Sequence, residues 1–243
     1  VLAALSALVV VTFAVPARML VLWVYRGRST TDWSRLTSAA WTTLWLGVVA
    51  ALVTVLVALP IAMLSARYPG RLSRSVTALA YAGHSLPGIV IALAMVFFGI
   101  RVATGLYQKM PMLTFAYVVL FLSLALGAIH NAIAQAPVAL DEVARSLGRT
   151  QIQAWMAVTV RLAAPGVAVA AALVCLAVMK ELPATLLLRP IGTETLATRL
   201  WSHTDARSYG AAAPYAAAIV LVASVPTALL SHVGARRARL GGR

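Results

Sequence analysis

Few side chains in this sequence can do chemistry, and they are scattered among apolar residues. The acidic residues include an adjacent pair, Asp141 and Glu142, in the stretch DEVARSLG. Lys180 and Glu181 form a second ionisable pair, which interrupts a long apolar run just before Pro183. A charge inside a bilayer costs about 2.5–3.5 kcal/mol on insertion scales, so such residues usually face a cavity or a partner. These two stretches are therefore the candidate sites of the chain.

The sequence lacks the usual patterns of catalytic and metal sites. His84 and Ser85 are adjacent, but no acid lies nearby to orient the histidine, and no Gly-x-Ser-x-Gly turn surrounds the serine. The histidines do not form a His-x-x-x-His or histidine–carboxylate ligand set. A Gly-x-x-x-x-Gly-Lys-Ser/Thr phosphate loop is also missing, so the chain is not expected to hydrolyse ATP. We therefore predict neither an enzyme nor a bound cofactor.

The composition is that of a membrane protein. Of the 243 residues, 62% are hydrophobic and 11% are charged, whereas a soluble domain is about half apolar and about a quarter charged. The net charge of +14 would suggest nucleic-acid binding in a soluble chain. Here the arginines punctuate apolar runs, as charges that flank membrane spans do. We therefore predict an integral membrane protein that contacts the lipid bilayer and does not bind nucleic acid.

Six apolar runs have about the 20 residues that a helix needs to cross a bilayer. They cover residues 2–25, 39–65, 76–100, 112–133, 162–188 and 211–233. The runs are continuous rather than alternating, which favours helices over barrel strands. The sequence thus predicts an all-α, polytopic membrane bundle of about six transmembrane helices, with both termini on one side. Half of the 20 basic residues fall in the loops on the side of the termini, and the others fall on the opposite side or within the runs, so only the clustered C-terminal arginines favour cytoplasmic termini.

The longest polar interruption, residues 135–161, is amphipathic. Its apolar residues recur at helical spacing among charged ones. Pro137 suits the first turn of a helix, Gly148 is a helix-ending residue, and Thr150 is a plausible N-cap. We therefore expect two short helices that lie across the cytoplasmic mouth of the bundle.

The stretch DEVARSLGRTQIQAWMAVTVRLAAPG resembles the cytoplasmic coupling loop of ABC-transporter permeases that work with a substrate-binding protein. That loop reads Glu-Ala-Ala, three residues, Gly, nine residues, Ile, one residue, Leu-Pro. Glu142, Ala144 and Gly148 match it, whereas Val143 replaces the middle alanine and Arg161 replaces the proline. The resemblance implies a MetI-like fold whose loop docks on a separate ATP-binding subunit. The implied contacts are Asp141, Glu142, Ala144, Arg145, Ser146, Leu147 and Gly148.

Without that resemblance, an ordinary interfacial helix with a capping acid pair explains the stretch about as well. In the coupling interpretation, small residues allow close approach to the partner, while Glu142 and Arg145 provide charge contacts.

Two further stretches, HSLPGIVIALAMVFFG and MKELPATLLLRPIGTETLATRLW, resemble the ferric-iron branch of these permeases. The resemblance covers about residues 39–235. It implies a subunit that moves ferric iron across the cytoplasmic (inner) membrane. The implied partners are an ATP-binding subunit, an extracytoplasmic substrate-binding protein, and the other permease half or a second permease copy. Permeases of this branch are typically longer and contain two homologous halves, so residues 1–243 are interpreted as one transmembrane domain, the second half of a longer permease.

Other functions stay open on the sequence alone. Within the same class, the chain can be a permease for sulfate, molybdate, thiamine or polyamine. From other classes, an intramembrane enzyme and a non-transporting membrane scaffold are the alternatives.

The pair Lys180–Glu181 has two interpretations. In the first, Glu181 lines the translocation path, where its oxygens can meet a hard cation or its chelate, which makes it the one candidate metal ligand. In the second, the span ends near residue 179 and the two residues form a structural pair in a re-entrant or interfacial segment. Pro87 marks either a kink or the start of the third span. The candidate path or gate residues are Lys180, Glu181, Pro183, Thr185 and Pro87.

Overall fold

The computed structural model describes the backbone of residues 2–27 and 31–241, and the side chains of residues 5–26, 31–83 and 85–228. Regular structure in these residues is helical, which confirms the all-α prediction. The helices are α1 (Leu2–Gly27), α2 (Trp33–Arg67), α3 (Arg71–Ala82), α4 (Gly88–Arg101), α5 (Met110–Ala134), α6 (Val138–Ser146), α7 (Gln151–Ala157), α8 (Thr159–Lys180), α9 (Pro183–Leu188), α10 (Leu196–Asp205) and α11 (Tyr209–Gly241).

Within the described residues, five helices are long and apolar enough to cross a membrane. These are α1, α2, α5, α8 and the first part of α11. The third predicted span, residues 76–100, is not one continuous helix as expected. It is divided into α3, a 3₁₀ turn (Gly83–Ser85) and the 14-residue helix α4. The physical reason is Pro87, because a proline keeps the preceding residue out of the helical region, and Leu86 is extended at φ −94° and ψ 140°.

The fifth predicted span does not continue to residue 188, and it ends where the second interpretation of Lys180–Glu181 expected, near residue 179. Helix α8 ends at Lys180, Glu181 is extended at φ −71° and ψ 124°, and the short helix α9 begins at Pro183. Proline in the first helical position needs no hydrogen-bonded N–H, so Pro183 starts a new helix rather than continuing the old one.

Six crossings of the bundle result when α3 and α4 are taken as one interrupted crossing. Helices α2 and α5 run in the same direction, and α8 runs antiparallel to both. The interrupted crossing is antiparallel to α5, since Gly88 lies beside Leu120 and Gly99 beside Met112. The ring of Trp23 near the end of α1 contacts the ring of Tyr209 at the start of α11 in a tilted arrangement. Tyr215 of α11 packs with Ala39 near the start of α2, so the end of α1 and the start of α11 lie at the face opposite to α6 and α7. The start of α1 and the end of α11 therefore lie at the same face as α6 and α7.

Helices α2, α5 and α8 pack on one another and form the centre of the bundle. Small residues let the backbones of these helices approach closely. In a membrane, where lipid is as apolar as the side chains, such close packing is a main cause of helix association. Gly47 of α2 lies against Cys175 of α8, and Gly166 of α8 lies against Ala132 of α5. These three helices connect the two candidate sites.

Candidate coupling and gate sites

The predicted pair of short helices is present as α6 and α7, and their ends are set by local sequence. After α6, Gly148 has φ +86°, the left-handed conformation that glycine adopts most easily. Thr150 then caps α7, because its side chain accepts a hydrogen bond from the N–H of Gln153, whose own side chain accepts from the N–H of Thr150. This reciprocal cap confirms Thr150 as the expected N-cap.

A polar cluster joins α6 to the ends of α2 and α8. The Arg67 Nη2 atom lies 3.5 Å from Asp141 Oδ2, and it donates to the Ala136 carbonyl at 3.0 Å and to Thr159 Oγ1 at 3.3 Å. The Thr159 hydroxyl in turn lies 2.7 Å and 2.9 Å from the two Asp141 carboxylate oxygens. We call Arg67, Asp141 and Thr159 the anchor cluster.

The other two charged residues of α6, Glu142 and Arg145, are free of such contacts. Among the described side chains, those of Glu142 and Arg145 are exposed and have neither a hydrogen bond nor an ion pair. Leu147 is 79% exposed, although it is a large apolar residue. An exposed patch with both charges and an unpaired apolar residue is suited to contact a second protein.

A cleft of about 560 Å³ lies between the end of α2 and the two short helices. Its lining brings together three of the predicted coupling residues with residues of α2 and α7: Met63, Ala66, Arg67, Tyr68, Val138, Asp141, Glu142, Arg145, Gln151, Ile152, Ala154 and Trp155. Other predicted coupling residues lie elsewhere. Ala144 is buried, and the Ser146 hydroxyl donates to the Val143 carbonyl at 2.8 Å within α6.

The candidate gate lies where two crossings are interrupted. The Glu181 Oε1 atom accepts a hydrogen bond from the Ala184 N–H at 3.0 Å, and the Thr185 hydroxyl donates to the Glu181 carbonyl at 2.7 Å. A Cβ atom placed on Gly88, the first residue of α4, would lie 3.8 Å from the same Oε1 atom. The structure thus brings Glu181, Pro183 and Thr185 together at the break between α8 and α9, and Gly88, the residue after Pro87, lies beside Glu181.

Lys180 does not share this arrangement. Its side chain is exposed, and the residue lines a cleft of about 420 Å³ with Leu182, Leu200 and Trp201. The ion pairs among the described residues are Arg35–Asp32, Arg67–Asp141 and Arg199–Glu194. Lys180 and Glu181 therefore do not form an ion pair with each other, and it is Glu181 that lies near Gly88 at the start of α4.

Three residues of these sites were not singled out from the sequence. Tyr117 is 1% exposed, and its hydroxyl lies 2.7 Å from that of Thr185, which joins α5 to α9. A hydroxyl-bearing residue in an apolar span is a weak signal of such a contact. Arg67 lies among the arginines that flank the apolar runs, and Thr159 has no feature in the sequence that distinguishes it from its neighbours. Nothing in the sequence links either of them to Asp141.

Comparisons with known proteins agree with this architecture. Residues 58–239 match the family described as "Binding-protein-dependent transport system inner membrane component". The chain is 37% identical over 228 residues to the Fe(3+)-transport system permease protein FbpB 2 of Haemophilus influenzae, an alignment that covers 93% of this chain and 45% of that protein. The chain thus spans about half the length of this curated relative.

Two solved structures have a similar fold. A chain of the bacterial alginate ABC transporter, in complex with an alginate pentasaccharide-bound periplasmic protein, has a TM-score of 0.73 at 17% identity, covering 98% of this chain and 94% of that one. A chain of the MetNI methionine ABC transporter in inward-facing conformations has a TM-score of 0.65 at 21% identity, covering 82% and 95%. At these identities the likeness concerns the fold alone.

The family consists of transport permeases rather than enzymes, which excludes the alternative of an intramembrane enzyme. With a family match over most of its length and a bundle of membrane-spanning helices, the chain belongs to the binding-protein-dependent inner membrane components, the permeases of ABC importers.

Proposed function

We propose that this chain moves ferric iron across the cytoplasmic membrane as a permease subunit of an ABC importer, driven by a separate ATP-binding subunit. The main support is the attachment of α6 to the ends of α2 and α8 through the anchor cluster. Such an attachment connects an exposed helix at one face to the interior of the bundle. The 37% identity to a ferric-iron permease supports iron as the cargo.

We assign the docking of the ATP-binding subunit to the exposed residues of α6 and its end, Glu142, Arg145 and Leu147. Glu142 and Arg145 offer charges of both signs on an exposed helix, and Leu147 adds an apolar contact. A short helix of this kind fits a groove on a soluble partner that presents complementary charges. The other implied coupling residues shape α6: Asp141 and Ala144 face the bundle, and Ser146 and Gly148 end the helix.

The same assignment fixes the orientation of the subunit. The face with α6 and α7 is cytoplasmic, and the start of α1 and the end of α11 lie at this face. The opposite face, with the start of α2 and helix α10, is then presented to the extracytoplasmic substrate-binding protein. The other permease half, or a second permease copy, completes the translocation path.

We place the cargo path at the break that contains Glu181. A charged residue within a membrane domain usually marks a pathway or a partner, and hard cations prefer oxygen ligands. The Glu181 carboxylate uses one oxygen for the Ala184 N–H. Its second oxygen has no hydrogen-bond partner among the described residues, so it is available to cargo or to the other permease half.

The test of coupling is the substitution Glu142→Lys in the assembled transporter. Reversing this charge is expected to abolish ATPase co-purification and ferric-iron uptake, while membrane insertion and thermal stability stay at the wild-type level. Arg71→Gln is a matched control, since Arg71 is exposed at the same face but lies outside α6. Uptake that survives Glu142→Lys would show that α6 is not the docking helix.

The cargo is tested separately in proteoliposomes. Uptake of radioactive ferric iron presented by the cognate binding protein supports the assignment. Uptake of sulfate, molybdate, thiamine or polyamine in its place would contradict the iron assignment and leave the coupling assignment intact.

A further inference from the structure

Asp141 and Glu142 are adjacent, but their side chains have different surroundings. The Asp141 side chain is 19% exposed and contacts Arg67 and Thr159, whereas Glu142 is exposed. We propose that the anchor cluster is a mechanical latch that makes α6 move as one body with the ends of α2 and α8. Asp141 is then a positioning residue and not a contact to the ATP-binding subunit. This inference rests on the proposed function and specifies how force passes through the site.

The hydrogen bonds of the cluster are mutually consistent. A threonine hydroxyl has one hydrogen, and that of Thr159 is donated to the Asp141 carboxylate. The hydroxyl oxygen therefore accepts from Arg67 Nη2 at 3.3 Å. The same Nη2 atom donates to the Ala136 carbonyl, directly before the turn into α6. The Nη2 atom of Arg67, at the end of α2, thus contacts Thr159 at the start of α8, Ala136 before α6 and Asp141 within α6.

The burial of the cluster makes it more than an ordinary surface contact. Thr159 is 1% exposed, and the Arg67 side chain is 10% exposed. Removal of one partner from such a pair leaves the other charge buried without compensation, which costs far more than breaking an exposed pair. A variant that lacks a latch residue is therefore expected to let α6 leave its position.

The other attachments of α6 in the described part of the chain are a small buried side chain, Ala144, a turn at Pro137, and a link that passes through α7. Pro137 is extended at φ −61° and ψ 128° and forms a turn between Ala136 and α6. Among the described residues, a further side-chain hydrogen bond to the end of α2 comes from α7, where Gln151 Nε2 donates to the Tyr68 hydroxyl. Both of these side chains are exposed, so water competes for the bond. Without the latch, displacement of α6 by a partner would bend these connections and leave α2 and α8 in place.

The decisive variants are Thr159→Val, which removes the hydroxyl at nearly constant volume, and Thr159→Ser, which keeps it. The full transporter, with its ATP-binding subunit and iron-loaded binding protein, is reconstituted in proteoliposomes, and ferric iron transported per ATP hydrolysed is measured. Thr159→Val and Asp141→Asn are expected to lower this ratio about five-fold or more, the lower limit of typical coupling effects. Thr159→Ser and the control Asp205→Asn, an exposed carboxylate at the other face, are expected to keep it.

A distance measurement on the complete chain tests the latch independently of transport. Spin labels are placed at Arg71→Cys and Arg149→Cys, two exposed positions, with the buried Cys175 replaced by alanine. The distribution of label distances is expected to broaden in Thr159→Val and to stay narrow in Thr159→Ser. Equal distributions and equal transport ratios in these two variants would overturn the latch. Broadening in a transporter that moves no iron would support the latch and contradict the proposed cargo.

Discussion

Gly166 of α8 and Ala132 of α5 are in direct contact at the centre of the bundle. A Cβ atom added to Gly166 would come within 2.2 Å of the Ala132 Cβ, which is far closer than two carbon atoms can approach. Both residues are buried. The absence of a side chain at position 166 therefore sets the separation of α5 and α8. Because Thr159 lies two turns earlier in α8, this separation also determines where the anchor cluster lies.

We expect Gly166→Ala to destabilise the protein, although alanine favours helices more than glycine does. The added methyl group must push α5 and α8 apart, and overpacking of this kind costs about 1–3 kcal/mol. The measurement is the midpoint of thermal unfolding in detergent. Gly105→Ala serves as the control because nothing lies within 4 Å of a Cβ atom at that position. A midpoint for Gly166→Ala equal to that of Gly105→Ala would contradict the close contact.

The hydrogen bond between Tyr117 and Thr185 is expected to couple α5 to the gate. The Thr185 hydroxyl donates to the Glu181 carbonyl, so the Tyr117 hydroxyl donates to Thr185 at 2.7 Å. Tyr117→Phe should cost about 1 kcal/mol, a usual net value for one hydrogen bond. A double-mutant cycle with Thr185→Val in thermal unfolding measures the coupling, because contacting residues are not additive. Additive effects of the two substitutions would show that the bond contributes nothing.

Features that depend on residues close together in the sequence could be predicted. The ends of α6 and α7 follow from Gly148 and Thr150, whose conformations and caps act within a few residues. The all-α bundle follows from the length of the apolar runs. The bounds of the third span, residues 76–100, were wrong because they followed the apolar run alone. The expectation that Pro87 marks a kink or the start of a span agrees with the structure, where α4 begins directly after Pro87.

The contacts that hold the candidate sites together could not be predicted. Arg67 is 74 positions away from Asp141 in sequence, and it meets Asp141 only because α2 and α8 have their ends at the same face. The approach of Gly88 to Glu181 likewise requires that two separate breaks lie at one depth in the bundle. A single sequence carries no information on such pairs, since charge and burial at one position do not identify the partner.

Glu181 offers a test that separates its structural contact from its proposed contact with cargo. Glutamine keeps an oxygen that can accept from the Ala184 N–H, so Glu181→Gln should fold normally. It removes the negative charge, and ferric-iron uptake should therefore fall strongly while ATPase binding stays intact. Glu181→Ala removes both functions, and a lower unfolding midpoint is expected in addition. Wild-type iron uptake by Glu181→Gln would exclude a role of the charge in the path.

The pH dependence of stability has one expected source at the face opposite to α6. The His203 ring stacks on Tyr215, with ring centroids 5.3 Å apart, and so connects α10 to α11. Burial lowers the pKa of His203 below its ordinary value of 6.5, and the nearby Arg199 lowers it further, against the opposing effect of Glu194. The folded protein thus favours the neutral ring, whereas the unfolded chain takes up a proton more readily.

The unfolded state therefore gains protons first as the pH falls below 6.5, and the free energy of unfolding decreases in that range. We expect the thermal midpoint to be lower at about pH 5 than at about pH 7.5, a window in which histidine is the side chain that ordinarily titrates. His203→Phe keeps an aromatic ring against Tyr215 but cannot titrate, so its midpoint should fall less between these pH values. The lowered pKa of Asp32 does not interfere, because its effect lies below the ordinary value of 3.8. An equal fall in both proteins would assign the pH dependence to other groups.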